Sequence, residues 1–249
     1  MSRLIRAEFL KLRTTQVWFW LLLATVALGA AIAIGALAAN GVKKEKDVPY
    51  IFATSNTAAI VVLVLGVLGI TTEYRYQTIT PTVLGTPSRW AIVSAKLITF
   101  ALAGLGYAIA CLAVQLAIAV PWLSAKNIDF DLGQPDLRRS LLGLPLVFVL
   151  YAALGIGLGA LLRNQILTIV LTLVFLLVVQ NIIAAIPGIR HAWNYLPAGA
   201  TTTILYPHDA GGPGDIPPTS VGAAVAILVL WSLLPAVAGA TFTMNRDIT

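Results

Sequence analysis

Long apolar runs alternate with shorter polar ones along the whole chain. Six runs, at 17–39, 50–70, 97–120, 141–162, 165–186 and 220–242, consist mostly of Ala, Val, Leu, Ile and Gly. A helix needs about 20 apolar residues to cross a hydrocarbon core ~30 Å thick, so each run predicts a membrane-spanning helix. Pro145 and Pro235 fall inside the fourth and sixth runs, where proline kinks a membrane helix without abolishing it. The first run follows Arg3, Arg6, Lys11 and Arg13 and ends near "GALAAN", a layout shared with secretory signal peptides. It is longer than a signal's apolar region of about 7–15 residues, and five more spans follow, so a retained first helix is the better reading.

The polar stretches between the runs carry the orientation and the candidate docking elements. In "SRLIRAEFLKLRTTQ", a helix over 1–15 places Ile5, Phe9 and Leu12 on one face and Arg3, Arg6 and Arg13 on another, with Leu10 off the pattern. That suits a helix lying in the headgroup layer, although an ordinary basic flank fits the periodicity equally well. With the N-terminus cytoplasmic, the inner segments hold Arg3, Arg6, Lys11, Arg13, Arg75, Arg89, Lys96, Arg163 and Arg246. The outer ones hold Lys43, Lys44, Lys46, Lys126, Arg138, Arg139 and Arg190. The bias is modest, so the orientation rests on the four basic residues before the first span. Between spans five and six, "PGIRHAWNYLPAGATTTILYPHDAGGPGDIPPTS" begins too apolar for a linker and predicts one or two short outer helices in the interface.

Composition agrees with the pattern. The 249 residues are 59% hydrophobic and 10% charged, against about 45–50% and 25% in globular domains, and the mean hydropathy is +0.90. The net charge of +6 points to orientation and anionic headgroups rather than to nucleic acid. Cys111 is the single cysteine, which rules out an intrachain disulfide.

Candidate chemistry is sparse. The sequence has no phosphate-cradling G-x-x-x-x-G-K-[ST] and no H-E-x-x-H. His191 and His208 share an outer loop with no carboxylate or cysteine at ligand spacing, and no metal site is expected. "GIGLG" at 155–159 lies inside an apolar helix and reads as a small-residue face for close packing. The six runs hold no Asp, Glu or His, and the nearest acid to span two is Glu73, just past its end. An intramembrane enzyme would need a nucleophile with a buried base, and a proton-coupled transporter would need ionisable groups near the membrane centre. Neutral polar groups do occur: Ser55, Asn56, Thr57, Gln115, Thr168, Thr172, Gln180 and Asn181. They either bond between helices or line a substrate path.

One interruption is too long for a hairpin. "TTEYRYQTITPTVLGTPSRW", residues 71–90, gives Glu73 at the membrane exit and then Ile79, Val83 and Leu84 as apolar knobs in a polar frame. A short helix of this kind is shaped to dock in a groove of a soluble protein, where the alternative is a solvated loop.

The basic "RAEFLKLRTTQVWF" opening, six spans and the acidic-aromatic-basic "EYRYQTITPTVLGTPSR" between spans two and three together resemble the permease subunits of bacterial type 2 ABC exporters. The resemblance implies an all-α integral membrane fold in a single domain over 1–249, in the plasma membrane with both termini cytoplasmic. It also implies an interfacial connecting helix and a coupling helix after span two. Glu73, Tyr74 and Arg75 match the family's membrane-exit cluster, Thr78 and Ile79 its Thr-aliphatic pair, and Pro87 and Arg89 its closing "TP-x-R". Where the family often has Gly before that Thr, this chain has Gln77. The implied partners are a cytoplasmic ABC ATPase, two copies of it carrying ATP and Mg, and a second permease copy. No cofactor or catalytic residue is expected in this chain. The resemblance further implies that spans two and five line the dimer interface and the cavity, which directs attention to Asn56, Thr57, Thr172, Phe175 and Asn181. The competing reading is a membrane scaffold that docks a cytoplasmic partner without moving a substrate.

Overall fold

The computed structural model describes residues 1–39, 42–77, 89–206, 216–217 and 219–243. Among them the regular elements are helices, with no strand. They are α1 (Ser2–Thr14), α2 (Val17–Ala38), α3 (Pro49–Ala53), α4 (Asn56–Arg75), α5 (Arg89–Ala125), α6 (Pro135–Leu162), α7 (Gln165–Val174), α8 (Gln180–Ala185), α9 (Pro197–Leu205) and α10 (Val221–Ala238). A π turn, Phe175–Val179, joins α7 to α8, so that the two form one apolar rod. Six helical segments among the described residues are long and apolar enough to cross a membrane, matching the six runs in order.

Three boundaries differ from those expected, each for a local reason. The second span is broken at Thr54–Ser55, whose hydroxyls donate back to the carbonyls of Tyr50 and Ile51 at 2.8 and 3.2 Å. Such back-bonding offers the backbone an alternative to the helix ladder and bends it. α5 begins at Arg89, not 97, and continues to Ala125 through Pro121. At ~1.5 Å per residue its 37 residues run roughly 55 Å, well beyond a hydrocarbon core. α6 begins at Pro135 rather than 141, with Pro at its first position and Asp136 in its first turn, both favourable at a helix N-terminus. Apolar runs mark what lies within the hydrocarbon, whereas a helix continues as long as its backbone bonds are made.

α6 is the central helix. It packs most extensively on α4 and also on α5 and α10. Its glycines permit this on two sides. A Cβ on Gly155 would clash with the Leu63 carbonyl oxygen, one on Gly159 would lie 2.6 Å from Ile70 Cγ2, and one on Gly157 would lie 2.8 Å from the Ala236 nitrogen. The "GIGLG" segment is therefore a two-sided packing surface. α2 is held against α5 by a stripe spaced one helical turn apart. Tyr107 Oη donates to the Trp18 carbonyl, Cys111 Sγ approaches the Thr25 carbonyl, and Gln115 Nε2 donates to the Gly29 carbonyl at 3.3 Å and to Ser55 Oγ.

The expected short helices between spans five and six are present as a 3-10 turn, Arg190–Tyr195, followed by α9. α9 is inserted among α6, α8 and α10 and has both ends capped. Gln180 Oε1 accepts from the Ala198 amide at 2.8 Å at the N-terminus. Ser140 Oγ donates to the Leu205 carbonyl at 2.6 Å and Arg139 to the carbonyls of Ile204 and Thr203 at the C-terminus. A cation at the carbonyl end also complements the helix dipole.

Candidate functional site

Four charged side chains meet where α1, the end of α4 and the start of α5 converge. Lys96 Nζ lies 2.5 Å from Glu8 Oε2 and 2.8 Å from Glu73 Oε1, and Lys11 Nζ lies 2.8 Å from both Glu8 Oε1 and Glu73 Oε1. Lys96 Nζ also donates to the Gly69 carbonyl at 3.1 Å. Lys96 is fully enclosed, and Glu8 and Glu73 are each 6 % exposed. Two carboxylates and two ammoniums balance, which is the condition under which charges tolerate burial. Burial alone would raise the Glu8 pKa, but the Lys96 charge and the hydrogen bonds from Lys11 and Lys96 outweigh it and hold the carboxyl below its usual value. Burial would likewise lower Lys11, and the hydrogen bonds to Glu73 and Glu8 reverse this and hold its ammonium above its usual value.

The sequence predicts that α1 presents Ile5, Phe9 and Leu12 on one face. The structure centres the inward face on Glu8, flanked by half-buried Ile5 and Leu12, and leaves Phe9 exposed. α1 is drawn to α5 by charge, and the apolar face follows from that registration.

The rest of the α4 exit is tied down in the same region. Arg163, in the left-handed conformation that ends α6, stacks on the Tyr74 ring at 5.6 Å. Arg75 reaches Gln165 Oε1 at the start of α7 at 3.4 Å. Gln77 adopts a φ of 55°, the left-handed region that glycine occupies most readily. The backbone thus keeps a glycine-like turn at the position where Gln replaces the Gly common in the resembled family. Thr78, Ile79, Val83, Leu84 and Pro87 lie outside the described residues, and Arg89 is described only as the first residue of α5.

The five residues considered for a substrate path fall in three places. Thr172 and Phe175 line an apolar pocket of about 200 Å³ between α6 and α7, where Phe175 meets Trp231 at 5.5 Å between ring centroids. Asn56 and Thr57 pair at the start of α4, with Thr57 Oγ1 3.4 Å from Asn56 Oδ1. Asn181 is exposed and donates to the Leu177 carbonyl of its own helical rod at 2.8 Å.

A larger groove, about 790 Å³, opens beside the charge cluster, lined by Glu8, Lys11, Glu73, Lys96 and Arg75 and by the apolar Trp18, Leu65, Leu68 and Phe100. Sequence reasoning singled out Glu73 but missed Glu8 as a site residue and read Lys11 and Lys96 only as orientation signals. The available signal was a Glu at i and a Lys at i+3 in α1, with a second lysine only seven residues into a helix that is otherwise apolar.

No curated protein matches the chain. Residues 4–179, from α1 through the π turn after α7, match the family described as ABC-2 family transporter protein. With six candidate membrane spans in the expected order and the family match over most of its length, the chain belongs to the ABC-2 family and is a multi-pass membrane subunit of an ABC transporter.

Proposed function

We propose that this subunit is the permease of an exporter that moves an amphipathic drug, peptide or lipid out of a bacterial cell. A separate ABC ATPase, present in two copies, supplies ATP, Mg and the hydrolysis step. Residues 78–88 dock in that ATPase on the cytoplasmic side, with both termini on the same side. The observation that carries this reading is the charge cluster. Glu73, five residues before the docking segment, is bonded to α1 through Lys11 and to α5 through Lys96. A push on the docking segment therefore reaches α1, α4 and α5 together. α4 is in turn close-packed on α6, so the bundle answers by rigid-body displacement rather than by local bending.

A second permease copy completes the pathway. The α7–α8 rod leaves Leu167, Val170, Leu171, Val174, Leu177 and Val178 exposed, a face that a second copy would cover, and the path between the copies is assigned to Thr172, Phe175, Asn181, Asn56 and Thr57. The test is co-purification of the tagged protein in mild detergent from its native host. An ATPase captured with wild type and lost from an Ile79→Asp, Leu84→Asp variant supports the docking assignment. No ATPase with either, from folded protein, removes the exporter reading. Capture of an ATPase whose hydrolysis no amphipathic compound stimulates would favour a non-transporting scaffold.

A further inference from the structure

Glu73, which lines the groove beside the charge cluster, carries an enclosed acceptor with no partner among the described residues. Glu73 Oε1 takes both lysines, while Glu73 Oε2, enclosed with the rest of the side chain, has no hydrogen-bond partner among the described residues. A carboxylate oxygen left in this state is costly, and such atoms in folded proteins usually mark a missing partner. Around it stand Glu8 and Glu73 against Lys11, Lys96 and Arg75, so the lining carries one more positive than negative charge. Lys11, whose side chain is 49 % exposed, spends two contacts on carboxylates and has a third proton to offer, and Arg75 is exposed at the rim. Trp18, Leu65, Leu68 and Phe100 form the apolar wall at the end of the bundle where α2 begins, a depth where Trp is favoured in membranes.

We infer that this groove is a phospholipid site selective for a phosphoethanolamine headgroup. The ammonium donates to Glu73 Oε2 in a charge-assisted hydrogen bond, and the phosphate is met by Arg75 and Lys11. The first part of an acyl chain lies along the Trp18 and Phe100 wall. A choline head carries the charge but no N–H to donate, and a glycerol head carries the phosphate but no cation. The cavity volume is within the range of about 300–1,000 Å³ that holds drug-sized ligands. Binding at the site requires neither ATPase nor substrate, so it is testable apart from the exporter reading.

The test is native mass spectrometry of the detergent-purified full chain with an equimolar mixture of dioleoyl phosphatidylethanolamine, phosphatidylcholine and phosphatidylglycerol. Wild type should retain the ethanolamine lipid roughly tenfold over the choline lipid, the worth of one charge-assisted hydrogen bond. Glu73→Gln should abolish that preference, and Arg75→Ala, at an exposed position, should weaken both zwitterionic lipids together. Equal retention of the two zwitterionic lipids by wild type would overturn the proposal. So would preference for choline or glycerol lipid, no retained lipid, or an ethanolamine preference that survives in Glu73→Gln. The wild-type comparison stands whether or not the Glu73 variant folds.

Discussion

Lys96 decides how the N-terminal helix meets the bundle, because its ammonium is wholly enclosed and touches both acids. Removing one partner from a buried charge group leaves the others uncompensated, at a cost of about 3–5 kcal/mol. Lys96→Met should therefore lower the thermal midpoint in detergent sharply, while Lys43→Met, at an exposed loop position, leaves it nearly unchanged. The cluster also predicts the pH response. Glu8 is held below its usual 4.5, so its contribution is present above that value and is lost as pH falls through the lower folded value. Lys11 is held above its usual 10.5, so its contribution is present below that value and is lost as pH rises through the higher folded one. Midpoints measured across pH should form a plateau between these limits, and Glu8→Gln should flatten the acid limb. At Gln77 the left-handed backbone costs about 1–2 kcal/mol for a side chain with a Cβ. Gln77→Gly should raise the midpoint if the exit turn keeps this shape, and a fall would show that the turn is not held. Glu73 could be singled out in the sequence, but its pairing with Glu8 and Lys96 could not, because they lie 65 and 23 residues away from it and only folding sets them within hydrogen-bonding distance.

At the scale of elements, the glycines of α6 are the sharpest determinants. Gly155 has a backbone oxygen of α4 where its Cβ would be, while Gly35 in α2 has nothing within 4 Å of that position. Gly155→Ala should cost about 1–3 kcal/mol or more by overpacking, and Gly35→Ala should be neutral or slightly stabilising through helix propensity. A Gly155→Ala protein that melts like wild type in a detergent thermal-shift assay would contradict the close α4–α6 contact. The sequence showed that this segment packs closely, since small residues recur within an apolar helix. It did not show that the glycines serve two partners, because the composition of one helix is silent on how many neighbours surround it. The element ends were the least legible. Hydropathy stops at Lys96 and at Arg139, but the helices run through both, since those charges find partners in the folded bundle.

At the scale of the whole molecule, the uneven burial of the spans carries a prediction. α4 and α6 are mostly enclosed within this one chain, whereas the α7–α8 rod, α2 and α10 are mostly open. Cys111 is buried and is the single cysteine, so an added cysteine reports without background. If a second copy covers the α7–α8 rod, Val170→Cys should give a disulfide-linked dimer in oxidised membranes, and Val237→Cys, also exposed on α10, should not. Monomer at both positions would remove that face from the dimer interface.

The order of elements was determined by the sequence alone, because the membrane demands about 20 apolar residues for each crossing and leaves hydropathy to count them. The membrane-exit cluster on which the resemblance was drawn was legible for a similar reason: Glu73, Tyr74 and Arg75 stand together in the chain, at a place that only a polar interruption could mark. The tertiary structure alone decided which charges neutralise which, where α1 docks, that α9 is capped from α6 and α8, and that one oxygen of Glu73 is enclosed without a partner among the described residues. Hydropathy is a sum over neighbours in sequence, whereas a buried ion pair, a helix cap and an unsatisfied acceptor are relations between residues that folding brings from far apart.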